Sequence, residues 1–206
     1  MNLKTVEIIG VGHYAPEKIL TNKELSEKLN ISDEWIYSRT GIKSRHIASE
    51  NENTSDIAFC AANNAIDFAK IKPEEIDLIL VCTITPDYLC PATSSIVQKK
   101  LQANNAACFD LFSSCSGFVF GLSTAYQYIA TGMYNTVLVI GADLLSRFSN
   151  YEDKSSCILF GDGAGAAVLR ASDTNSFLSF VLGSDGNMAD LIKIPSSGTQ
   201  KSDLPP

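Results

Sequence analysis

The stretch that most constrains the fold, residues 108–134, joins a short apolar segment to a long one through a run of serines. Residues 106–111 are typical of a buried strand that ends in a turn. Residues 116–131 contain no charged side chain and many small ones, so we expect a central helix that is buried on all sides. The apolar run stops near Gly132, short of the roughly 20 residues that a membrane span needs.

Cys115 lies where this strand gives way to the first turn of this helix. The unpaired N–H groups and the positive end of the helix dipole favour negative charge at that place. Only the thiolate form of a cysteine attacks carbonyl carbon. Cys115 is therefore a candidate nucleophile, and position alone leaves open the alternative of a small core residue.

Composition narrows the class of protein. The chain has 206 residues, 45% of them hydrophobic and 19% charged, which suits one large or two small globular domains. A net charge of −7 argues against nucleic acid or an anionic membrane as the main partner. The first ten residues include Lys4 and Glu7 and resemble no signal peptide, so a cytoplasmic protein is expected.

Metal and disulfide chemistry are not expected. The six cysteines show no C-x-x-C spacing, which predicts reduced thiols. The two histidines, His13 and His46, are not spaced as metal ligands usually are, so no zinc site is predicted.

Helices and strands alternate over the first 140 residues. Capping residues and apolar spacing predict helices over 21–29 (a capping box of Thr21 and Glu24), 32–39 (capped by Ser32), 54–70 (capped by Thr54), 92–101 and 116–131. Apolar runs predict strands over 4–11, 76–82, 106–111 and 136–140. Strands separated by helices imply right-handed crossovers and a largely parallel sheet with helices on both faces.

The pattern then changes. Residues 157–160, 166–169 and 177–182 are predicted to be consecutive strands, so that the sheet finishes antiparallel. The glycine-rich segment 161–165 is interpreted as a tight turn between strands. A nucleotide-binding loop would open a helix, whereas residues 166–169 continue like a strand.

Three segments resemble the beta-ketoacyl-acyl-carrier-protein synthase III family of the thiolase superfamily. They are SDEWIYSRTGIKSRHI at 32–47, DLFSSCSGFVFGL at 110–122 and ILFGDGAGAAVL at 158–169. The resemblance implies one half of an α/β thiolase-like fold, a mixed, mainly parallel five-stranded sheet with helices on both faces. Residues 1–184 would form the N-terminal half. Residues 185–206 would begin the connection to a C-terminal half not present in this chain.

The resemblance also implies roles for individual residues. Cys115 matches the cysteine that the primer acylates, and its backbone N–H matches a donor of the oxyanion hole. Trp35 and Arg39 match the pair that clasps the adenine of coenzyme A, and their i, i+4 spacing would put both on one helix face. Phe160 matches a residue that lines the acyl channel.

This sequence departs from the family pattern at two of these positions. Lys154 stands where well-known members have an arginine that contacts coenzyme A, which keeps the charge but loses the planar fork. Cys90 stands where a phenylalanine of the partner subunit caps the primer pocket. The smaller side chain predicts a roomier pocket that accepts primers longer than acetyl.

The implied reaction condenses an acyl-CoA primer with malonyl-acyl carrier protein through an acyl-cysteine, with no cofactor, in a homodimer. The family's catalytic histidine and asparagine belong to the second half, and neither His13 nor His46 matches them. The missing half is therefore expected in cis or in trans. Two alternatives stay open: an acyltransferase to an oxygen or nitrogen nucleophile, and a non-catalytic half-subunit that acts as a scaffold.

Overall fold

A five-stranded sheet lies between two layers of helices, and a two-stranded ribbon flanks it. The computed structural model describes residues 3–194 and 198–199. The strands are β1 (Thr5–Tyr14), β2 (Lys18–Thr21), β3 (Ser44–Ile47), β4 (Leu78–Cys82), β5 (Ala107–Leu111), β6 (Thr136–Leu144) and β7 (Asp162–Ser172). The helices are α1 (Asn22–Leu29), α2 (Asp33–Thr40), α3 (Thr54–Ala69), α4 (Thr93–Leu101) and α5 (Gly117–Ala130).

The sheet has the strand order β1-β7-β6-β4-β5. Strand β4 pairs in parallel with β5 and β6, whereas β7 pairs antiparallel with β6 and β1. The predicted mixed sheet is confirmed, but its parallel and antiparallel pairings are equal in number. Strand β7 follows β6 without an intervening α-helix in the described residues, so no crossover returns the chain to the parallel direction.

The two helix layers bury the sheet from opposite sides. Helices α3 and α4 form one apolar cluster with the sheet, and α5 forms the other. Strand β4 is buried along its whole length, as its unbroken apolar sequence predicts. Strand β1 approaches α3 closely because Gly10 and Gly12 carry no side chain where the helix backbone passes.

The local signals at the helix ends are mostly confirmed. Thr21 and Glu24 form the predicted capping box of α1, and the Ser32 hydroxyl caps α2. The prediction that Thr54 caps α3 is wrong, because Asn53 precedes the helix and its N–H donates to Asp56. The Thr54 hydroxyl instead donates to the carbonyl of Thr85.

Several predictions after residue 150 are wrong. Residues 157–159 form a turn, and Phe160 and residues 177–182 have no regular structure. The glycine-rich segment 161–165 is not a tight turn, because β7 starts at Asp162 and runs straight through it. Hydrogen bonds to strands on both sides hold these glycines extended despite their low strand propensity.

Strand β5 and helix α5 are only partly buried in the described chain, although their apolar sequences are typical of buried elements. Strand β5 is an edge strand, and Phe109 and Phe112 are 38% and 74% exposed. Helix α5 covers the sheet with one face only, and Val119 on another face is 46% exposed. The apolar sequence of α5 predicts that the whole helix surface is covered. In the described chain the sheet covers one face of α5.

Within residues 3–194 and 198–199, no helix combines the length and apolar character required to span a membrane. The predicted boundary after residue 184 stays a prediction. Part of the predicted connection, residues 195–197 and 200–206, lies outside the described residues.

The contact between β1 and α3 yields a stability prediction. A Cβ at Gly12 would overlap main-chain atoms of Ala61 and Ala65, so we expect Gly12→Ala to lower the free energy of unfolding by about 1–3 kcal/mol. Gly186→Ala is the matched control, since nothing lies within 4 Å of its added Cβ. Urea unfolding measures both variants, and equal midpoints would contradict the packing described.

Candidate active site

Cys115 lies on an exposed turn between β5 and α5, as predicted. It is the middle residue of a short 3-10 helix, Ser114–Ser116. Ser114 adopts the left-handed conformation, with φ 48°, and the Ser116 hydroxyl donates to the Ser113 carbonyl at 3.2 Å. The strand, the turn and the helix thus present the thiol at the surface, where a substrate can reach it.

Helix α5 lies unusually close to the strands beneath this turn. A Cβ at Gly121 would meet the sulfur of Cys82 and, at 2.9 Å, a methyl group of Val139. A Cβ at Gly117 would touch Cys82 at 3.4 Å. The two glycines therefore let the beginning of α5 rest on the carboxyl end of β4 and the middle of β6.

Two of the other thiols are shielded. Burial raises the pKa of Cys82 to about 12, with the carboxylates of Asp110 and Asp143 adding to the effect. Burial also raises the pKa of Cys157, with Asp153 adding to it. All six cysteines are free. Cys115 is exposed, so a substrate or reagent can reach it more easily than these two buried thiols.

Three of the predicted binding residues meet around one indole. Trp35 and Arg39 lie on one face of α2, and the Arg39 guanidinium carbon lies 4.1 Å from the indole centroid. The Lys154 ammonium nitrogen lies 5.8 Å from the same ring. The predicted i, i+4 proximity is confirmed, and Lys154 joins the pair although it lies more than a hundred residues further along the chain.

The stack of Arg39 on Trp35 is closed. A flat base needs about 3.5 Å on each of its faces, so no base fits between groups that are 4.1 Å apart. Arg39 must therefore move off the indole before an adenine ring can be sandwiched there. Arg39 is exposed and has space to do so.

Several cations lie over aromatic rings in a chain whose net charge is −7. Lys43 lies 5.7 Å from the ring of Tyr37, and Lys28 lies 5.4 Å from the ring of Tyr151. Arg39 and Lys154 lie at the indole itself, and we call these two cations the basic patch. Such a cluster favours an anionic ligand such as a phosphate.

Phe160 is half-buried on the turn before β7. The next residues hold that turn in place. Gly161 packs against Arg45, and the buried Asp162 accepts hydrogen bonds from Ala48 N–H at 2.8 Å and Ser146 N–H at 2.9 Å. The G-D-G sequence is thus a structural clamp, which agrees with the rejection of a nucleotide-binding loop.

The two histidines have structural neighbours. A ring nitrogen of His46 lies 2.5 Å from the Pro16 carbonyl, and the carbonyl of His13 accepts from Asn64. Across residues 3–194 and 198–199, no cluster of three His, Cys, Asp or Glu side chains is placed to hold a metal ion.

Sequence comparisons assign the family. A family model for 3-oxoacyl-[acyl-carrier-protein] synthase III matches residues 109–186. The beta-ketoacyl-[acyl-carrier-protein] synthase III of Clostridium acetobutylicum is 52% identical over 195 residues, which are 95% of this chain and 60% of the relative. The Desulfitobacterium hafniense protein of the same name is 48% identical over 196 residues, 95% of this chain and 59% of the relative.

Solved structures agree with these sequences. The 3-oxoacyl-[acyl-carrier-protein] synthase III of Aquifex aeolicus superposes with a TM-score of 0.80 at 46% identity, covering 82% of this chain and 55% of that one. The Pseudomonas aeruginosa structure gives 0.85 at 39% identity, covering 91% and 57%. The chain belongs to the beta-ketoacyl-acyl-carrier-protein synthase III family. It spans about 60% of the length of the curated relatives it matches.

The thiolase-like fold implied by the family resemblance is confirmed by these superpositions. Cys90 lies in the loop after β4. Leu89 and Cys90 are exposed at its tip, and Leu89 is 92% exposed. Within the described residues, no hydrogen bond or ring contact joins Cys90, Cys115 and Phe160.

Carboxylates that the sequence analysis did not predict as important support the loops of this chain. Asp143 accepts from the Thr83 hydroxyl at 3.0 Å and the Thr85 hydroxyl at 2.9 Å, which fixes the start of the loop after β4. Asp87 accepts from Ser55 at the start of α3, and Asp110 from two N–H groups at the start of α4. Asp110 and Asp143 lie within apolar strands, and this was the available signal, because a carboxylate there needs hydrogen-bond donors.

The exposures predict a clear order of thiol reactivity. We expect iodoacetamide to label Cys115 and Cys90 on the order of 100-fold faster than Cys82 and Cys157, which must wait for local opening. Peptide mass spectrometry after timed quenching measures each site. Cys115→Ala should remove one fast site and leave the others unchanged, and rapid labelling of Cys82 would contradict the packing of α5.

Proposed function

We propose that this protein is an acyltransferase that initiates fatty acid chains, with Cys115 as the nucleophile and an acyl-CoA as the primer. The observation that carries the proposal is the exposed Cys115 at the start of the glycine-packed helix α5. The comparisons support the reaction class, since relatives about half identical to this chain are beta-ketoacyl-[acyl-carrier-protein] synthases III.

In the first half-reaction the Cys115 sulfur attacks the thioester carbonyl carbon of the primer. A new carbon–sulfur bond forms, the bond to the coenzyme A sulfur breaks, and coenzyme A leaves as a thiol once protonated. We assign the backbone N–H of Cys115 to the oxyanion hole, where it would stabilise the charge that develops on the carbonyl oxygen. Phe160 would line the channel for the acyl chain.

The basic patch around Trp35 would bind the nucleotide end of the primer. Trp35 and Arg39 would hold the adenine after Arg39 has moved, and Lys154 would meet a phosphate as a point charge. This assignment is supported by the convergence of these three side chains from distant parts of the chain. The positive charge of the patch also suits an acyl carrier protein, whose prosthetic group is phosphorylated.

In the second half-reaction a malonyl thioester on acyl carrier protein loses carbon dioxide, and the resulting carbanion attacks the acyl group on Cys115. The Cys115 thiolate is then the leaving group. We expect the histidine and asparagine for this step from a C-terminal half, in the same polypeptide or in a partner. The homodimer and the cytoplasmic location also stay predictions.

Intact-mass measurement tests the nucleophile. Incubation with butyryl-CoA should add one acyl group to the protein, and Cys115→Ala should abolish that adduct. Cys90→Ala is the matched control, because it removes another exposed thiol and should leave the adduct in place. An adduct that survives in Cys115→Ala would refute the assignment.

The same experiment separates the two alternatives. Release of carbon dioxide on adding a malonyl thioester indicates condensation. Transfer to an amine or alcohol without carbon dioxide indicates an acyltransferase of the other kind. Absence of any adduct with every acyl-CoA indicates a scaffold.

Cys90 should influence primer length. We expect the wild type to use acyl-CoAs longer than acetyl, and we expect Cys90→Phe to reduce the rate with hexanoyl-CoA relative to acetyl-CoA by about 10-fold or more by narrowing the pocket. Cys90→Ser keeps the size and should keep the preference. Competition between the two acyl-CoAs, read by intact mass, measures the ratio. A wild type that uses acetyl-CoA alone would disprove the roomier pocket.

A further inference from the structure

A small lobe carries the candidate coenzyme A residues. We define the lobe as residues 18–47, which comprise α1, α2 and the ribbon of β2 and β3. Leu25 and Ile36 of the lobe form an apolar cluster with Cys157 and Ile158, which belong to the segment that leads to Phe160. The lobe therefore touches the chain immediately before the proposed acyl channel.

One buried cation joins the two parts. Arg45 of β3 is 5% exposed, and its guanidinium donates to the Leu20 carbonyl at 3.1 Å, the Asn22 side-chain oxygen at 2.9 Å and the Ile158 carbonyl at 3.0 Å. No carboxylate forms an ion pair with Arg45 in the part of the chain that the structure describes. Burial lowers the pKa of Arg45.

A buried charge without an anionic partner is costly. Neutral acceptors at fixed positions offset that cost only if the side chain can reach several of them at once. The planar fork of arginine does this, whereas a lysine would reach fewer. The arrangement points to a role in geometry rather than in charge neutralisation.

Asn22 extends the contact from Arg45 to Trp35. Its side-chain nitrogen donates to Asp33 at 2.9 Å and to the Ile42 carbonyl at 2.6 Å. Asp33 is the first residue of α2, two positions before Trp35, and Ile42 follows the residue that ends α2. Asn22 therefore fixes both ends of the helix that carries the indole.

Arg45 also contacts the chain next to Phe160. The carbonyl it binds belongs to Ile158, two residues before Phe160. Gly161, the residue after Phe160, packs on the Arg45 stem so closely that an added Cβ would lie 2.8 Å from the Arg45 Cβ. Arg45 thus contacts the chain on both sides of Phe160.

We propose that Arg45 is a positioning residue that holds the coenzyme A lobe in register with the Phe160 wall of the acyl channel. The proposal rests on the proposed function, because it assumes that one acyl-CoA contacts both places. A ligand fixed at its nucleotide end delivers its thioester to Cys115 only if the two sites keep a constant separation. Binding energy at the remote end is then used to orient the reacting group.

The first test is independent of catalysis. Trp35 is the only tryptophan, so its fluorescence reports the lobe alone. We expect Arg45→Met to raise acrylamide quenching of Trp35 by about 2-fold as the indole loses its packing. Arg170→Met is the matched control, since Arg170 bonds Thr136 and Glu75 at the other end of β7. Unchanged quenching in Arg45→Met would overturn the proposal.

The second test uses two acyl donors. With hexanoyl-CoA we expect Arg45→Met to raise the concentration for half-maximal acylation of Cys115 by about 10-fold or more. With hexanoyl-N-acetylcysteamine, which has the thioester but no nucleotide, the rate should stay equal to that of the wild type. Equal losses with both donors would show a general structural role and overturn the proposal. With hexanoyl-CoA, the half-maximal concentration for Arg45→Lys should lie between those of the wild type and Arg45→Met.

A second variant tests the same proposal if Arg45→Met does not fold. Asn22→Ala removes the bonds to α2 and leaves Arg45 its two carbonyl acceptors, and it should give the same rise in quenching and the same split between donors. Unchanged values would overturn the proposal. A wild type that neither donor acylates refutes the proposed function instead, and the quenching comparison still decides whether Arg45 couples the lobe.

Discussion

The position of Cys115 depends on the seating of α5 against β4 and β6. Gly117 and Gly121 remove the side chains that would otherwise separate the helix from Cys82. Strand β4 is buried along its whole length. The strands beneath α5, which form the floor of the site, are therefore as closely packed and rigid as a protein interior generally is. The turn that carries the thiol is consequently held firmly while the thiol itself stays exposed. Accessibility and fixed geometry are both needed in a nucleophile.

Carboxylates secure the loops around that floor. Asp143 and Asp162 bind hydroxyl and N–H groups of loops that leave the sheet, and Asp87 and Asp110 bind the first turns of α3 and α4. Hydrogen bonds to a charged acceptor contribute about 1.5–3 kcal/mol each, enough to hold a short loop in one conformation. These four carboxylates therefore have structural roles, whereas the Cys115 thiol is exposed.

The closed stack of Arg39 on Trp35 is a modest obstacle to a ligand. An exposed cation–π contact contributes about 0.5–1 kcal/mol, whereas stacking of a base on an aromatic ring contributes about 1–3 kcal/mol. A base can therefore displace the guanidinium with a net gain. The stack keeps the indole covered when no ligand is bound and reserves the cation close to the place where phosphates would lie.

Local signals in the sequence determined the positions of several helices and strands and the place of Cys115 between them. Capping residues located α1 and α2, unbroken apolar runs located β4 and β6, and the serine-rich junction placed Cys115 between a strand and a helix. The i, i+4 spacing put Trp35 and Arg39 on one face. All of these depend on neighbours within a few residues, which is why they are legible without the fold.

Only the tertiary structure decided the rest. Pairing with two flanking strands makes β7 extended through its glycines, and the ribbon of β2 and β3 was not predicted. Lys154 meets Trp35, and Arg45 reaches Ile158, across more than a hundred residues. The exposed face of α5 shows the same limit, because apolar character records a need for burial and not which surface meets it. Contacts between distant segments leave no periodic mark on the sequence, so folding alone reveals them.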